Sequence, residues 1–427
     1  MTSEFGQTEC FVYIMLPGTT EFVTVGRFVL NPTAAGGPLG RFVYGQSYLA
    51  RKEAVAIDPV ELKLAKGTFR TSALKGVFGA LRDAGPDYWG RRVIEKRSGA
   101  AQLGELDYLL YAPDDRAGAL SFGLNQKPPA PKRQFNKTLA LEKLQGLADK
   151  IIADEDIPDG AEAEQVQDLM LAGTSMGGAR PKAVVEDDDG LWIAKFTRPD
   201  DSWNHARIEH AMLTLARDCG LHTAESRLVT VGGRDVLLVK RFDREMTKEG
   251  YLRARMVSGL TLLRTEDTHQ HREGWSYVLL AEELRRISHD PRRDAQELFR
   301  RMNFNALISN IDDHPRNHAA IALGKDWELS PAYDLIPATP ISLERRDLAM
   351  QCGDFGRYAN AANLLSQSAR FYLETDEAAV LIDAMEERVR GSWYDVARRC
   401  GVSEQDCEKI SSAFAYPASR LEAVAQT

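Results

Sequence analysis

The segment Asn310-Ile-Asp-Asp-His-Pro-Arg-Asn317 decides how the rest of the chain is read. It packs two carboxylates, an imidazole and a carboxamide into a stretch that cannot continue a helix, because Pro315 lacks an amide hydrogen and disfavours helical geometry at His314. A polar loop is expected. Residues 298–308 before it carry Phe299, Met302, Leu307 and Ile308 near helical spacing, and Ala319-Ala-Ile-Ala-Leu323 after it has a short buried-strand pattern. The loop is therefore expected between two core elements, the usual setting for functional side chains.

The spacing Asp312-x-x-x-x-Asn317 is that of the protein-kinase catalytic loop, where the Asp accepts the substrate hydroxyl proton and the Asn binds magnesium. Read locally, the same residues are equally a turn whose Asp and Asn cap neighbouring backbone groups. A zinc site from His314 and His318 fails on detail: no Glu follows His314, and Pro315 sits inside the would-be helix.

A chain of 427 residues is long enough for two or three domains with substantial cores. Its hydrophobic content of 44% and charged content of 27% are those of a soluble globular protein. The net charge of -8 argues against nonspecific coating of nucleic acid without excluding a local basic patch. Cys10, Cys219, Cys352, Cys400 and Cys407 are scattered and form no Cys-x-x-Cys pair, so they read as reduced thiols with no structural zinc. The N-terminal residues lack a positive flank followed by an apolar stretch, and no apolar run approaches membrane-spanning length. A cytoplasmic protein with no membrane partner is expected.

Short apolar runs alternate with Gly, Pro and Asn turns over residues 10–60, which predicts a small antiparallel sheet, and residues 72–97 predict packed helices. Lys127-Pro-Pro-Ala-Pro-Lys-Arg133 reads as a stiff, solvated linker and a domain boundary. Beyond it, Leu141, Leu144, Leu147, Ile151 and Ile152 mark an amphipathic helix, and Val166, Leu169 and Met170 a second. In Gly173-Thr-Ser-Met-Gly-Gly-Ala-Arg-Pro-Lys182, Gly177 and Gly178 beside Ser175 allow backbone amides to face a phosphate, with Arg180 or Lys182 as the source of charge; a plain glycine turn is the other reading. It is not a Walker A loop, since Ala-Arg follows Gly178.

Residues 183–196 form a hairpin signature with Lys195 inside an apolar strand, where it either snorkels to solvent or meets anions. A helix from near Asn204 to Cys219, stopped by Gly220, carries Glu209 close to its inward stripe, either as a kinase-type partner of the strand lysine or on a solvated face. A second hairpin ends in the polar exit Lys240-Arg-Phe-Asp-Arg244, the hinge position of a kinase. The remainder reads as mostly helical, with helices over 275–287, 294–308, 378–389 and 396–415, and Asp334 follows a strand-like run after the loop. Glycine turn, strand lysine, helix glutamate, hinge, Asp-x-x-x-x-Asn loop and second Asp thus occur in the order a kinase needs.

At this point the sequence resembles the HipA toxin kinases of bacterial toxin-antitoxin modules. The resemblance rests on residues 175–182, Trp192-Ile-Ala-Lys195, Arg241-Phe-Asp-Arg244, Asp312-Asp-His-Pro-Arg-Asn317 and Tyr333-Asp-Leu335, and covers about residues 165–340. It implies an α+β, two-lobed protein-kinase-like fold: a small N-terminal α/β subdomain (1–135), a kinase N-lobe (136–245) and an all-helical C-terminal lobe (246–427). It further implies ATP and Mg2+ as cofactors, with Asp312 catalytic, Asn317 and Asp334 on the metal, and Lys195, Lys182, Glu209, Gly177 and Gly178 on the nucleotide side. His314 matches the loop histidine and Phe242 the adenine-side hinge. The resemblance also implies autophosphorylation of Ser175, a small helix-turn-helix antitoxin partner of the HipB type, operator DNA reached through it, and an aminoacyl-tRNA synthetase as substrate. Asp313, Pro315 and Arg180-Pro181 depart from the family pattern, and Asp313 is expected to be solvated. A small-molecule kinase of the aminoglycoside type and a silent scaffold or co-repressor are the competing readings.

Overall fold

The computed structural model describes residues 6–31, 37–98, 103–133, 135–137, 141–153, 155, 180–339, 342 and 345–414. Two compact units divide the chain, the first from residues 1–199, 238–257 and 321–326, the second from 200–237, 258–320 and 327–427.

In the first unit, β1 (Glu9–Met15), β2 (Phe22–Asn31), β3 (Leu39–Tyr44), β4 (Thr68–Thr71) and β5 (Leu120–Gly123) form the expected antiparallel sheet, in the order β4-β3-β2-β1-β5. Phe28 and Phe42 are fully buried on it, and Tyr44 stacks on Tyr48. The chain passes so close at Gly40 that a Cβ there would lie 1.9 Å from the Gly76 carbonyl oxygen. Helix α1 (Tyr88–Ser98) follows within the stretch where the apolar spacing predicts packed helices, and α2 (Glu105–Tyr111) comes after it. Residues 127–130 are largely exposed, as a solvated spacer requires, but the end of the segment is tied down. Pro131 is buried, the Lys132 amide donates to Asp114 at 2.9 Å and Arg133 pairs with Glu21, so acidic groups far away in sequence fasten the segment down.

Helix α3 (Leu141–Ile152) buries Leu141, Leu144, Leu147 and Ile151. The expected second helix, around residue 169, lies outside the described residues. Short β6 (Asn136–Lys137) runs parallel to β7 (Lys182–Asp187), which turns at Gly190 (φ +120°) into β8 (Gly190–Phe196).

The second unit is mainly helical. Helix α4 (His205–Asp218) starts where the Asn204 side chain accepts the Arg207 amide at 3.0 Å, and stops at Gly220, whose φ of +83° suits glycine. Strand β9 (Ser226–Val231) leads through Gly232-Gly233 into β10 (Arg234–Lys240), whose last residues belong to the first unit. Then come α5 (Tyr277–Ile287), α6 (Pro291–Leu307), α7 (Thr375–Arg399) and α8 (Glu404–Ile410). Leu213, Leu215, Phe304, Met385, Val389 and Ile410 meet in one core. This part of the chain is not wholly helical, because short strands occur at Ala319–Ala322 and Glu328–Leu329. The two separate C-terminal helices expected over 378–389 and 396–415 are also redrawn. Helix α7 runs unbroken through Gly391, with the Ser392 hydroxyl donating to the Arg388 carbonyl at 2.6 Å and Trp393 stacked on Phe414, and the break comes at Gly401 (φ +81°).

Candidate active site

Helix α6 ends at Leu307, and Ser309 takes a left-handed φ of +56° that turns the chain into the loop. The Asn310 amide donates to the Asn305 carbonyl at 2.9 Å and the Asn310 side chain to the Asn305 Oδ1 at 3.1 Å, so the loop leaves a fixed helix end. The expected polar loop between core elements is present, and its backbone closes on itself. The His314 amide donates to the Asp312 carbonyl at 2.8 Å, and the Asn317 amide to the His314 carbonyl at 2.9 Å. Asn317 is 7% exposed, with its Nδ2 3.5 Å from the Asp312 carbonyl oxygen. Pro315 opens a single 3-10 turn, Pro315–Asn317. The Tyr333 hydroxyl donates to the Arg316 carbonyl at 2.8 Å, fixing the loop to the segment that carries Asp334.

Asp312 and Asp313 point to opposite environments. Asp312 reaches solvent, whereas Asp313 is 1% exposed. The expectation that Asp313 is solvated is therefore wrong. Its Oδ2 accepts from the Tyr277 hydroxyl, from Asn305 Nδ2 at 2.8 Å and from His318 Nε2 at 2.8 Å. Burial, reinforced by the Asp313 charge, pushes the Tyr277 hydroxyl well above its ordinary pKa, so it stays a donor. Local sequence could not show this, since Tyr277 and Asn305 come from other helices.

The Asp312 carboxyl is raised above its ordinary pKa. The protein around it is the main cause; His314 opposes the shift, and Asp334, Asp313 and Asp267 add to it. Asp334 is thus within electrostatic reach of Asp312. Its backbone has a φ of +60°, which Asp tolerates better than most residues and which, in a non-glycine residue, often marks a functional site. His314 packs edge-on against Trp275, and its buried Nδ1 has no hydrogen-bond partner among the described residues.

The remaining predicted residues are placed as follows. Glu209 is 3% exposed on α4, Lys195 is half-buried in β8 opposite Lys182 in β7, and Phe242 is half-buried just beyond β10. Lys182 is itself buried, with Nζ 2.7 Å from Asp87 at the start of α1. Ser175, Gly177 and Gly178 lie outside the described residues. Lys195, Lys182 and Phe242 belong to the first unit; Glu209, Asp312, His314, Asn317 and Asp334 belong to the second. Sequence reasoning missed Asp87, Tyr277, Asn305 and the pairing role of His318. It also took Arg241-Phe-Asp-Arg244 for a polar exit, where the structure shows buried charge: Arg241 pairs with Asp115 and Asp243, and Arg244 with Asp243 at 2.7 Å. Among the described residues no group of three His, Cys, Asp or Glu side chains is arranged to hold a metal alone. Asp312, Asn317 and Asp334 are an all-oxygen set, which suits a hard cation that takes its other ligands from phosphate and water.

The model of the HipA-like C-terminal domain matches residues 174–412, and that of the HipA N-terminal domain matches 23–123. The chain belongs to the HipA family. It is 30% identical over 229 residues to the putative kinase Y4dM of Sinorhizobium fredii, covering 49% of this chain and 53% of that one. It is 25% identical over 257 residues to the serine/threonine-protein kinase toxin HipA of Shewanella oneidensis, covering 56% and 58%. It is 24% identical over 234 residues to a putative kinase of Haemophilus influenzae, covering 50% and 67%. The chain thus spans between about half and two thirds of the length of these relatives. Among solved structures it is similar to the Shewanella oneidensis toxin-antitoxin complex of HipA, HipB and operator DNA, with a TM-score of 0.67 at 17% identity, covering 96% of this chain and 100% of the other. The architecture is the HipA fold, the α+β kinase-like class read from the sequence. No helix among the described residues is long and apolar enough to cross a membrane.

Proposed function

We propose that this HipA-family chain is an ATP- and Mg2+-dependent serine/threonine protein kinase of the toxin type, which restrains growth by phosphorylating a protein of translation and limits itself by phosphorylating Ser175. The observation that carries the reading is the loop itself: a kinase-spaced Asp312 and Asn317 on a hydrogen-bonded turn, with Asp334 near enough to raise the Asp312 pKa. Kinase names among the relatives support it.

Phosphoryl transfer asks a protein mainly for positioning and charge neutralisation. Asp312 orients the acceptor hydroxyl and takes its proton. Asn317 and Asp334 offer oxygen ligands for Mg2+, which when bound neutralises nucleotide phosphate charge. Lys195 supplies positive charge to the phosphates, Glu209 has the role of the helix glutamate, Phe242 lies on the adenine side, and Gly177 and Gly178 give the phosphate-facing turn. Lys182, expected on the nucleotide side, is instead buried against Asp87 and braces the start of β7. The proposed domains are 1–135, 136–245 and 246–427. A small helix-turn-helix antitoxin of the HipB type, operator DNA through it, an aminoacyl-tRNA synthetase substrate and a cytoplasmic setting complete the proposal; the solved relative assembles with HipB and operator DNA.

The test is incubation of the purified chain with γ-labelled ATP and Mg2+, followed by mass spectrometry of the peptide carrying Ser175. Phosphate on Ser175 is expected. Bound nucleotide without label on any protein acceptor would favour a small-molecule kinase or a silent scaffold.

A further inference from the structure

We propose that Asp313 is the positioning residue that aims Asp312 and Asn317, so that two adjacent aspartates divide anchoring from chemistry. The inference rests on the kinase reading of the loop and adds a residue to it.

Three elements converge on one oxygen of Asp313. Tyr277 comes from the first turn of α5, Asn305 from the last turns of α6, and His318 from the residue before the strand Ala319–Ala322. A carboxylate this deep is costly to bury without hydrogen bonds, and donors to a charged acceptor are strong and directional. Asp313 therefore stays seated only while all three elements hold their places. His318 is pinned independently, because its carbonyl accepts the Gly259 amide at 2.7 Å.

The anchoring reaches Asp312 and Asn317 through one rigid unit. The Asp312 carbonyl and the Asp313 amide share a peptide plane, which resists twisting. That carbonyl accepts the His314 amide and lies 3.5 Å from Asn317 Nδ2. Seating Asp313 thus orients the group to which both the turn and the Asn317 carboxamide are registered. An acidic residue at 313 that served only the helical core would stabilise α5 against α6 and leave the loop alone.

The two roles are separated by comparing wild type, Asp313→Asn and Tyr277→Phe in the full chain, by hydrogen exchange and by phosphoryl-transfer kinetics. Positioning predicts faster exchange of the amides of residues 311–314, 316 and 317 with α6 unchanged. It also predicts a kcat lower by about a hundredfold in Asp313→Asn and by about threefold to tenfold in Tyr277→Phe, which loses one donor. The KM for ATP should move by less than about twofold, since orientation and not ground-state binding is lost. Wild-type loop exchange and kcat in folded variants would overturn the inference, as would losses that only parallel a general fall in melting temperature. Should Asp313→Asn fail to fold, Tyr277→Phe decides by the same readouts. If wild type transfers no phosphate, the kinase reading fails, and unchanged loop exchange in the variants would separately overturn the positioning role.

Discussion

The segments 241–244 and 312–317 both set aspartates among basic residues, and in the structure they serve opposite ends. Burial alone would raise the Asp243 pKa, but the guanidiniums of Arg241 and Arg244 outweigh it and hold the carboxyl well below its ordinary range. Arg241 Nε at 2.9 Å, Arg244 Nη1 at 2.7 Å and the Gly118 amide at 2.9 Å close around it. Burial acts on Asp312 too, but there it prevails: the carboxyl is raised, Asp334, Asp313 and Asp267 add to the rise, and His314 opposes it. Asp243 is an ion already neutralised by its protein. Asp312 is a carboxylate whose surroundings favour an incoming proton or cation, which suits the proton-accepting role proposed for it.

Removing the Asp243 carboxylate should have the largest effect on folding. Asp243→Ala leaves Arg241 and Arg244 buried without their shared partner and is expected to cost about 3–5 kcal/mol in urea denaturation. A loss under about 1 kcal/mol would put Asp243 in the same class as surface ion pairs and break the comparison. Acid should act in the same direction. Because the folded pKa of Asp243 is depressed, its stabilisation is present above the unfolded value of about 3.9 and drains away as the pH falls below it. Urea midpoints should therefore decline more steeply from pH 5 to pH 3 in wild type than in Asp243→Asn, and equal slopes would contradict the assignment.

A smaller effect is expected at the loop's outer contact. A Cβ on Gly259 would lie 2.5 Å from the Pro315 carbonyl oxygen, so Gly259→Ala should shift the loop, cost about 1–3 kcal/mol in thermal unfolding and slow transfer. Least of all should come from Arg316→Ala. Its 3.1 Å pair with Asp267 is partly solvated, so a loss of no more than about 1 kcal/mol is expected from the same melting curves.

The elements that the sequence revealed are those whose causes are local. Asn204 and Gly220 bracket α4, Gly190 closes the β7–β8 turn, and Pro315 stops helical continuation into the loop, each through its own side chain or backbone freedom. The features it hid depend on partners far along the chain. Asp243 meets the Gly118 amide 125 residues away, Lys182 meets Asp87 across 95 residues, and Asp313 meets Tyr277 across 36. Periodicity carries no information about such pairs. Gly391 and Ser392 fall in the gap left between the helices expected over 378–389 and 396–415 and both disfavour helix, yet α7 runs through them with Trp393 stacked on Phe414. The polar loop was legible in its residue types and spacing; which of two adjacent aspartates faced inward was not.

The most direct test of the account is to measure ATP affinity and single-turnover phosphate transfer side by side for wild type and Asp312→Asn in Mg2+. The account predicts similar nucleotide affinity and transfer slower by about 10²–10⁴-fold in the variant, the loss expected when a positioned base is removed. Turnover by Asp312→Asn within about tenfold of wild type, a loss smaller than general-base removal allows, would contradict it.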